Sequence, residues 1–206
     1  MKKSNELLGN QKEGLAFIVS APAGTGKTTL VKRLVKEFSC IMPSISCTTR
    51  KPRAGEHEGR DYHFLTEKQF KDKIAAGDFL EYVQLYDSYY GTSRATVLKQ
   101  MEEGKHVILT IDTQGAQALK GIFPAVTIFI EPPSLEVLRK RLMSRHTESP
   151  ERMEERLEWA KNEMLAASQY DYIIVNDNLD TAYEVLRSII IAEEHKGHYG
   201  KRKLNE

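Results

Sequence analysis

The sequence contains only two cysteines among its 206 residues, Cys40 and Cys47. Their spacing matches neither a zinc-binding pattern nor a disulfide framework, which excludes small disulfide-rich domains and cysteine-ligated metal proteins. We expect both thiols to be buried and chemically inert, as free cysteines in globular domains usually are. A reducing compartment, the cytoplasm, is therefore the expected location.

Long apolar runs and an excess of one charge are also missing. No run approaches the roughly 20 apolar residues that cross a bilayer, and the polar N-terminal residues contain no signal-peptide region. The net charge is +1, with 30 Lys and Arg against 29 Asp and Glu. This balance gives no basis for expecting a nucleic-acid or membrane partner. The hydrophobic share of 40% and the charged share of 29% are those of a soluble globular domain.

A loop of small residues at positions 21–28 is the most informative feature that is present. It follows an apolar run at residues 15–19, typical of a buried parallel strand, and precedes residues 30–38, whose apolar side chains recur at helical spacing. Strand, loop and helix in this order are the context of a phosphate-binding loop. Gly24 and Gly26 allow backbone N–H groups to turn towards phosphate oxygens without a crowding Cβ atom. The helix N-terminus adds free N–H groups and a partial positive charge.

Two side chains at the end of this loop carry the chemistry that a nucleoside triphosphate requires. Lys27 can reach the β- and γ-phosphates, and the Thr28 hydroxyl can ligate Mg²⁺. Ala21 replaces the first glycine of the usual pattern, which is tolerable if the backbone there keeps φ below zero. An ordinary strand–turn–helix is the alternative interpretation. The loop residues predicted to bind the triphosphate are Ala21, Pro22, Ala23, Gly24, Thr25, Gly26, Lys27 and Thr28.

Strand-like and helical patterns alternate along the rest of the chain. The predicted strands are residues 41–48, 79–86, 107–112, 126–130 and 172–175. The predicted helices are residues 66–76, 93–103, 114–120, 134–168 and 179–194. Residues 89–92 are predicted to form a turn, and residues 1–14 a mobile tail. This alternation indicates an α/β fold, a parallel sheet covered by helices on both faces, with ligands beyond the strand carboxyl ends.

Asp112 ends one of these predicted strands, where P-loop enzymes place a carboxylate that holds Mg²⁺ directly or through water. The alternative is that Asp112 caps the helix that begins near Gln114. Position alone does not separate the two interpretations, and the phosphate-binding loop favours the metal role.

Two arginines, Arg50 and Arg53, flank Pro52 in a basic segment rich in turn residues. Because a proline biases the residue before it to an extended backbone, both guanidinium groups can point to one side. Two planar donors that face one pocket suit a phosphate dianion, and Tyr62 and Tyr90 can add hydroxyl donors. The alternative is that the arginines are solvated at the surface and the tyrosines lie in the core or at its rim.

The charged helical segment at residues 134–168 contains further arginines. Arg141 and Arg145 are four residues apart and share a helix face, whereas Arg156 lies beyond a break near Pro150. One interpretation is an exposed helix whose arginines pair with neighbouring glutamates. The other is a mobile lid that brings arginines onto the transferring phosphate, where they can contribute ~10³–10⁵ in rate.

Several blocks of this sequence together resemble guanylate kinase. They are residues 21–28, 46–56, 59–64, 89–92, 111–115 and 132–134. The Thr-Thr-Arg-x-Pro-Arg block at residues 48–53 is far more specific than the phosphate-binding loop. The resemblance extends over about residues 15–194, which is nearly the whole chain.

The resemblance implies the fold of a P-loop nucleoside monophosphate kinase, and the activity of a transferase in purine nucleotide metabolism. The implied reaction is Mg²⁺-dependent phosphoryl transfer from ATP to GMP, giving ADP and GDP and recycling GMP or dGMP, by a monomer or homodimer. The implied parts are a flexible tail at 1–14, a P-loop core at 15–45, 94–135 and 161–195, a GMP-binding insertion at 46–93, a helical lid at 136–160, and a basic tail at 196–206.

The resemblance also assigns residues to each role by motif. The implied GMP-binding residues are Ser46, Arg50, Arg53, Tyr62, Glu81, Tyr90, Thr92 and Asp112. The implied catalytic residues are Lys27, Arg50, Arg141, Arg145 and Arg156. The implied metal ligands are Thr28 and Asp112, and Asn176 joins the loop residues as an ATP-binding residue near the adenine.

Guanine chemistry supports the role of Glu81. Guanine presents two neighbouring donors, N1–H and the 2-amino group, and one carboxylate can accept from both. Adenine has an acceptor at N1 and no 2-amino group, so Glu81 would repel it. Without the resemblance, a solvated strand residue would be the preferred interpretation of Glu81.

Two departures from the family pattern bear on function. Ala21 and Ala23 replace the Gly and Ser that are usual in this family's loop. Thr110 stands where many members carry the first Asp of an Asp-x-Asp motif, and it supplies no charge. The handling of Mg²⁺ would then rest on Asp112, Thr28 and water.

Two rival functions are weighed against guanylate kinase. One is the non-catalytic guanylate-kinase-like interaction module of scaffold proteins, which usually loses the phosphate-loop residues that are present here. The other is a P-loop kinase that acts on a different small phosphorylated acceptor. A panel of nucleotide acceptors separates these possibilities.

Overall fold

The computed structural model describes residues 7–85, 87–143 and 150–197. Its strands in chain order are β1 Ala16–Ser20, β2 Ile41–Pro43, β3 Cys47–Thr48, β4 His63–Phe64, β5 Phe79–Leu85, β6 Ser88–Ser93, β7 His106–Leu109, β8 Val126–Glu131 and β9 Tyr172–Val175. Its helices are α1 Lys27–Glu37, α2 Glu67–Ala75, α3 Arg94–Glu102, α4 Thr113–Leu119, α5 Leu135–Met143, α6 Pro150–Leu165 and α7 Leu179–Glu194. No helix among these residues is long and apolar enough to cross a bilayer.

A five-stranded parallel sheet forms the centre of the molecule, in the order β2-β7-β1-β8-β9. Every residue of β1 and β7 is buried, as expected for strands covered on both faces. Phe17 and Val19 of β1 pack with α1 and α7 on one face, whereas Ala16 and Ile18 pack with α3 and α4 on the other. The predicted α/β fold with a helix-covered parallel sheet is confirmed.

A smaller sheet in the order β4-β3-β6-β5 joins the central one. In this sheet β6 pairs antiparallel with both β3 and β5, and α2 covers the sheet with Phe70. The Phe70 ring stacks on Phe79 at 4.5 Å and on Tyr89 at 5.4 Å between ring centroids. This sheet and α2 form the region that the resemblance implies is a GMP-binding insertion.

Two predicted elements of this region are wrong. Residues 89–92, expected to be a turn, lie in β6 and pair with β5. Residues 41–48, expected to be one strand, form two strands in different sheets. Pro43 ends β2 at the edge of the central sheet, where a residue without an N–H donor is tolerated.

Two further boundaries differ from the sequence-based expectation in ways that affect the site. The strand predicted at residues 107–112 ends at Leu109, and Asp112 is the N-cap of α4. The helical segment predicted at residues 134–168, with its break near Pro150, contains α5 and α6, but α6 ends at Leu165 and a 3₁₀ turn follows at Ala166–Gln169. Helix α6 packs on Leu138 of α5 through Leu157 and Ala160.

The segment before β1 is packed onto the core, so the mobile tail expected at residues 1–14 does not hold for residues 7–14. Leu8 is 2% exposed, and the Gly9 and Asn10 N–H groups donate to the Glu194 carboxylate at 2.7 and 3.0 Å. The Glu194 carboxylate also pairs with Nε2 of His106, and the Leu15 N–H meets Nδ1 of that ring at 3.0 Å. A buried polar network therefore fastens this segment to the ends of β7 and α7.

Replacing Glu194 by Ala is expected to destabilise the protein by about 3–5 kcal/mol, because His106 and two backbone N–H groups would lose their buried acceptor. Calorimetry should show a melting temperature lowered by roughly 10 °C for a chain of this size. Glu184, exposed on the same helix, provides the control, since Glu184→Ala should change stability by no more than about 0.5 kcal/mol. Equal melting temperatures for the two variants would contradict the role of this network.

Candidate active site

The phosphate-binding loop connects β1 to α1 and takes the backbone shape that its glycines permit. Gly24 and Gly26 have φ angles of 95° and 94°, in the left-handed region. A Cβ atom on Gly26 would also lie 2.7 Å from Nδ2 of Asn176, so both space and conformation require glycine. Gly26 is the N-cap of α1 and offers no side-chain acceptor, which leaves the first N–H groups of the helix for an anion.

Asn176 braces this loop from behind. It is 3% exposed and follows β9, and its Nδ2 donates to the Thr25 carbonyl at 2.5 Å. Its Oδ1 has no hydrogen-bond partner among the described residues. The contact with adenine that the resemblance implies stays a prediction, since the structure places the Asn176 side chain against the loop backbone.

Two cavities meet beside the loop. The first, of about 400 Å³, is lined by residues 21–29 of the loop and α1, together with Arg53, Tyr62, Leu85, Asp112, Arg156, Trp159 and Glu163. The second, of about 890 Å³, extends to the smaller sheet and is lined by residues that include Ser46, Arg50, Glu81, Tyr90 and Thr110. The walls common to both cavities contain Ala23, Lys27, Arg53, Tyr62, Leu85, Asp112 and Arg156. Two separate ligands can thus bind with their facing ends between Lys27 and Arg156.

Charged groups of opposite sign surround this junction. Removal from bulk water lowers the pKa of Lys27, while the Glu163 and Asp112 carboxylates act in the opposite direction. Burial raises the pKa of Glu163 to about 7, opposed by Lys27 and reinforced by Asp112. Burial likewise raises the pKa of Asp112, opposed by the Gly115 N–H and by Lys27. The charged side chains at the junction are therefore partly removed from bulk water, which strengthens the electrostatic interactions between them.

The basic segment between β3 and β4 brings one arginine to the second cavity in a fixed orientation. The Arg50 guanidinium donates to Glu56 Oε1 at 2.9 Å and to the Lys51 carbonyl at 2.8 Å, and it lies 5.4 Å from the Tyr62 ring centroid. The other Glu56 oxygen accepts from the Arg53 N–H at 2.8 Å. Burial lowers the pKa of Arg50, but its hydrogen bonds to Glu56 and Tyr90 outweigh burial and raise that pKa above its usual value.

Glu81 is a buried acid in another part of the second cavity. It lies in β5, is 6% exposed, and its Oε1 accepts from the Thr92 hydroxyl of β6 at 2.5 Å. Burial raises the pKa of Glu81 to about 7, with the Thr92 hydrogen bond acting against this and Asp112 adding to it. The other oxygen faces Gly115, where a Cβ atom would lie 2.8 Å away. The cavity thus offers cationic groups in one part and a buried carboxyl group in another.

Comparison with known proteins agrees with this arrangement. A family model described as guanylate kinase matches residues 14–193. The chain belongs to the guanylate kinase family. A guanylate kinase of Protochlamydia amoebophila is 60% identical over 188 residues, covering 91% of this chain and 95% of that protein. A guanylate kinase of Chlamydia trachomatis serovar D is 52% identical over 185 residues, covering 89% of this chain and 90% of that protein.

A solved structure shows the same family fold. The crystal structure of guanylate kinase from Anaplasma phagocytophilum matches with a TM-score of 0.76 and 30% identity, covering 90% of this chain and 89% of that one. The P-loop kinase fold expected from the sequence is thereby confirmed. The chain is an enzyme of the nucleoside monophosphate kinase type.

The arginines implied for the guanylate kinase lid have different positions. Arg156 of α6 lies in the walls of both cavities. Arg141 of α5 donates instead to the Asn176 carbonyl at 3.0 Å, behind the phosphate-binding loop. Arg145 lies outside the described residues. Of the three implied arginines, only Arg156 is shown by the described part of the chain to face the junction.

The donor set for a metal ion is small. Asp112 Oδ1 accepts from the Gly115 N–H at 2.9 Å as the cap of α4, so the helix-cap interpretation is confirmed for that oxygen. The Asp112 side chain also lines both cavities, and Thr28 lines the first. No group of three or more His, Cys, Asp or Glu side chains suited to a metal occurs among the described residues. This set fits Mg²⁺, which is usually held by one or two protein oxygens, substrate phosphates and water.

Sequence reasoning missed three residues of the site. Glu56 accepts hydrogen bonds from the Arg50 guanidinium and from the Arg53 N–H group. The signal available in the sequence was the position of Glu56, three residues after Arg53. Trp159 and Glu163 line the first cavity from α6. Their spacing of three and seven residues from Arg156 puts them on one helix face, but no local pattern indicates which face of α6 meets the loop.

Proposed function

We propose that this chain transfers the γ-phosphoryl group of ATP to GMP, giving ADP and GDP. One observation carries the proposal. The cavity of the phosphate-binding loop meets a second cavity that contains both a buried acid, Glu81, and an arginine held by Glu56. A purine monophosphate that presents two donors on its base and a dianion at its other end matches these two features.

Glu81 selects guanine in this proposal. When it is ionised, its carboxylate accepts from N1–H and from the 2-amino group, two donors that adenine does not offer together. The Thr92 hydroxyl fixes one Glu81 oxygen at 2.5 Å, and Ser46 lines the same cavity. A buried site built to bind donors rejects a base that lacks them, because the acceptors would remain unpaired.

Arg50, Arg53, Tyr62 and Tyr90 bind the GMP phosphate. Glu56 restrains the Arg50 guanidinium before the substrate arrives, which reduces the entropy lost on binding. The Tyr62 and Tyr90 rings lie 6.0 Å apart, edge to face, in a wall of the same cavity. Arg53 also faces the first cavity, near the phosphate that is transferred.

Lys27 and Arg156 neutralise charge on the transferring group at the junction of the cavities. A GMP phosphate oxygen attacks in line, and because it is already anionic, it needs no strong general base. Backbone N–H groups of residues 21–28 hold the ATP phosphates. Arg141 and Arg145 are proposed to join the phosphates when the lid closes, which also excludes water that would hydrolyse ATP.

Thr28 and Asp112 are the residues proposed to hold Mg²⁺, directly or through water. When bound, the ion neutralises charge on the β- and γ-phosphates. Because Thr110 lines the second cavity without a charge, this chain provides one carboxylate where an Asp-x-Asp motif provides two. We expect the free Asp112 oxygen to carry this role, since Oδ1 is used in the helix cap.

One chain is sufficient for the proposed site, because residues of a single copy line both cavities. We propose that the protein acts as a monomer or as a homodimer with independent sites. We place it in the cytoplasm, where ATP and GMP are available and where Cys40 and Cys47, both free and buried, stay reduced.

An acceptor panel tests the proposed function. ADP release is measured with ATP, Mg²⁺ and each of GMP, dGMP, AMP, CMP and UMP. GMP should give the highest kcat/KM, with AMP lower by about 10³-fold or more because its base leaves Glu81 unpaired. Faster turnover of another acceptor would establish a different P-loop kinase. Calorimetry without heat for either ATP or GMP would favour a non-catalytic interaction module.

The KM for GMP should depend on pH through Glu81. Only the ionised acid accepts both guanine donors, and burial raises its pKa to about 7. Between pH 8 and pH 6 the ionised fraction falls about tenfold, so KM should rise by a similar factor. The phosphate of GMP also titrates near pH 6, with a second pKa of about 6. In the Glu81→Gln variant only the titration of the GMP phosphate should remain. If KM had the same pH profile in the wild type and in this variant, the assignment of Glu81 to guanine binding would be contradicted.

A further inference from the structure

One face of α6 forms a wall of the triphosphate cavity. Arg156, Trp159 and Glu163 follow one another at helical spacing along this face, and all three line that cavity. An adjacent side of the helix holds it in place, since Leu157 and Ala160 pack on Leu138 of α5. Leu138 in turn reaches the loop, because a Cβ atom on Gly24 would lie 3.3 Å from its Cδ1. Packing through α5 therefore fixes the position of α6 relative to the phosphate-binding loop, which ends at Lys27 and Thr28.

Glu163 is a carboxylate in an unusual place. It faces a cavity built for polyphosphate, whose negative charge would repel an ionised acid. Opposing this, the Lys27 ammonium faces the same cavity, and the Glu163 and Asp112 carboxylates both act to raise its pKa against the effect of burial. Among the described residues, neither Lys27 nor Glu163 makes a hydrogen bond or an ion pair within 4.0 Å. The two charges thus attract across open space that a phosphate can share.

We propose that Glu163 is a positioning residue that attracts the Lys27 ammonium to the junction of the two cavities. Because Glu163 and Arg156 both lie on α6, Glu163 also sets the position of the ammonium relative to Arg156. The inference rests on the proposed function. Asp112 at the start of α4 and Glu163 on α6 both attract the Lys27 ammonium, so in this proposal carboxylates on two different helices set its position. Its flexible four-carbon stem would otherwise leave it many rotamers.

The proposed role predicts an effect on rate with little effect on binding. Correct placement of Lys27 matters most when charge develops on the transferring group. The carboxylate also repels bound nucleotide, so its removal does not weaken ATP binding. If Glu163 had a merely structural role, its substitution would instead lower the thermal stability and raise the KM values for both ATP and GMP.

Glu163→Gln is the main test, because the amide keeps the size and removes the charge. We expect kcat to fall about tenfold, while the KM values for ATP and GMP rise by no more than about twofold. The matched control is Glu158→Gln, which removes an exposed acid of the same helix that pairs with Lys161 at 2.5 Å. Its kcat and melting temperature should equal those of the wild type. Glu163→Asp, which keeps the charge, should retain more activity than Glu163→Gln.

A Lys27→Met background shows whether Glu163 acts through Lys27. In a radiolabelled transfer assay, Glu163→Gln should change the residual rate by less than about twofold in that background, since residues that act as a unit are not additive. The same tenfold loss in both backgrounds would overturn the inference. So would a kcat equal to that of the control, or a melting temperature clearly below it. The wild-type acceptor panel tests the proposed function separately.

Discussion

Replacing Lys27 by Met should lower kcat by about 10³-fold, the largest effect of any single substitution considered for this chain. The ammonium lies in the walls of both cavities, where the phosphates of two anionic substrates meet. Its charge is partly desolvated, so it stabilises the transferring group more strongly than a hydrated lysine would. Methionine keeps the apolar stem and removes the charge that neutralises the transferring group.

The measurement is GMP-dependent ADP release under saturating ATP. Lys32→Met is the matched control, because Lys32 lies on the same helix and is exposed. That variant should retain activity within about twofold of the wild type, as surface substitutions usually do. A Lys27→Met enzyme with a rate within tenfold of the wild type would refute the proposed mechanism.

The second large effect is expected for Glu81→Gln, which should raise the KM for GMP about 100-fold. One guanine donor loses its charged acceptor, and the new amide N–H₂ group faces it as a second donor. The KM for ATP should change little, because Glu81 lines only the second of the two cavities. Discrimination against AMP should fall in the same variant, since adenine offers an acceptor at N1 for the new amide donor.

Thermal stability provides an independent check on the environment of Glu81. Because burial raises its pKa to about 7, the folded state holds the proton more tightly than the unfolded chain does. The resulting stability is present at low pH and is lost as pH rises from the unfolded pKa through about 7. Glu81→Gln avoids this loss, so its melting temperature at pH 8 should be at or above that of the wild type.

The control for Glu81→Gln is Glu102→Gln, an exposed acid at the end of α3. It should leave the KM for GMP, the selectivity and the melting temperature unchanged. If the Glu81→Gln variant selected GMP as strongly as the wild type does, Glu81 would not be the residue that recognises guanine. This conclusion would hold whatever the result for Lys27.

Elements with strong local patterns were predicted well from the sequence. Helix α7 spans Leu179–Glu194, as its apolar spacing indicates. Helix α2 begins after Thr66, whose hydroxyl and the Gln69 side chain form a reciprocal cap. The phosphate-binding loop was predicted with its strand and helix for the same reason: each of these features depends on residues that are close in the sequence.

The errors occur where distant residues decide the local structure. Tyr89, Gly91 and their neighbours suggest a turn, but they pair with β5, and a Cβ atom on Gly91 would lie 3.0 Å from both Phe70 and Phe79. Glycine is therefore used there for close packing and not for a turn. Asp112 follows its strand at a distance of three residues because the chain turns to begin α4.

The sequence by itself determined the family, the parallel α/β core and the residue types of the site, because motif spacing and apolar periodicity are local properties of the chain. Only the tertiary structure decided which charged side chains meet. The packing of α5 and α6 brings Arg156 and Glu163 to the cavity that Lys27 lines, while Arg141 turns to the Asn176 carbonyl. It also shows Glu56 as the partner that orients Arg50. Electrostatic interactions depend on distance and burial in three dimensions, and neither quantity is encoded in sequence spacing.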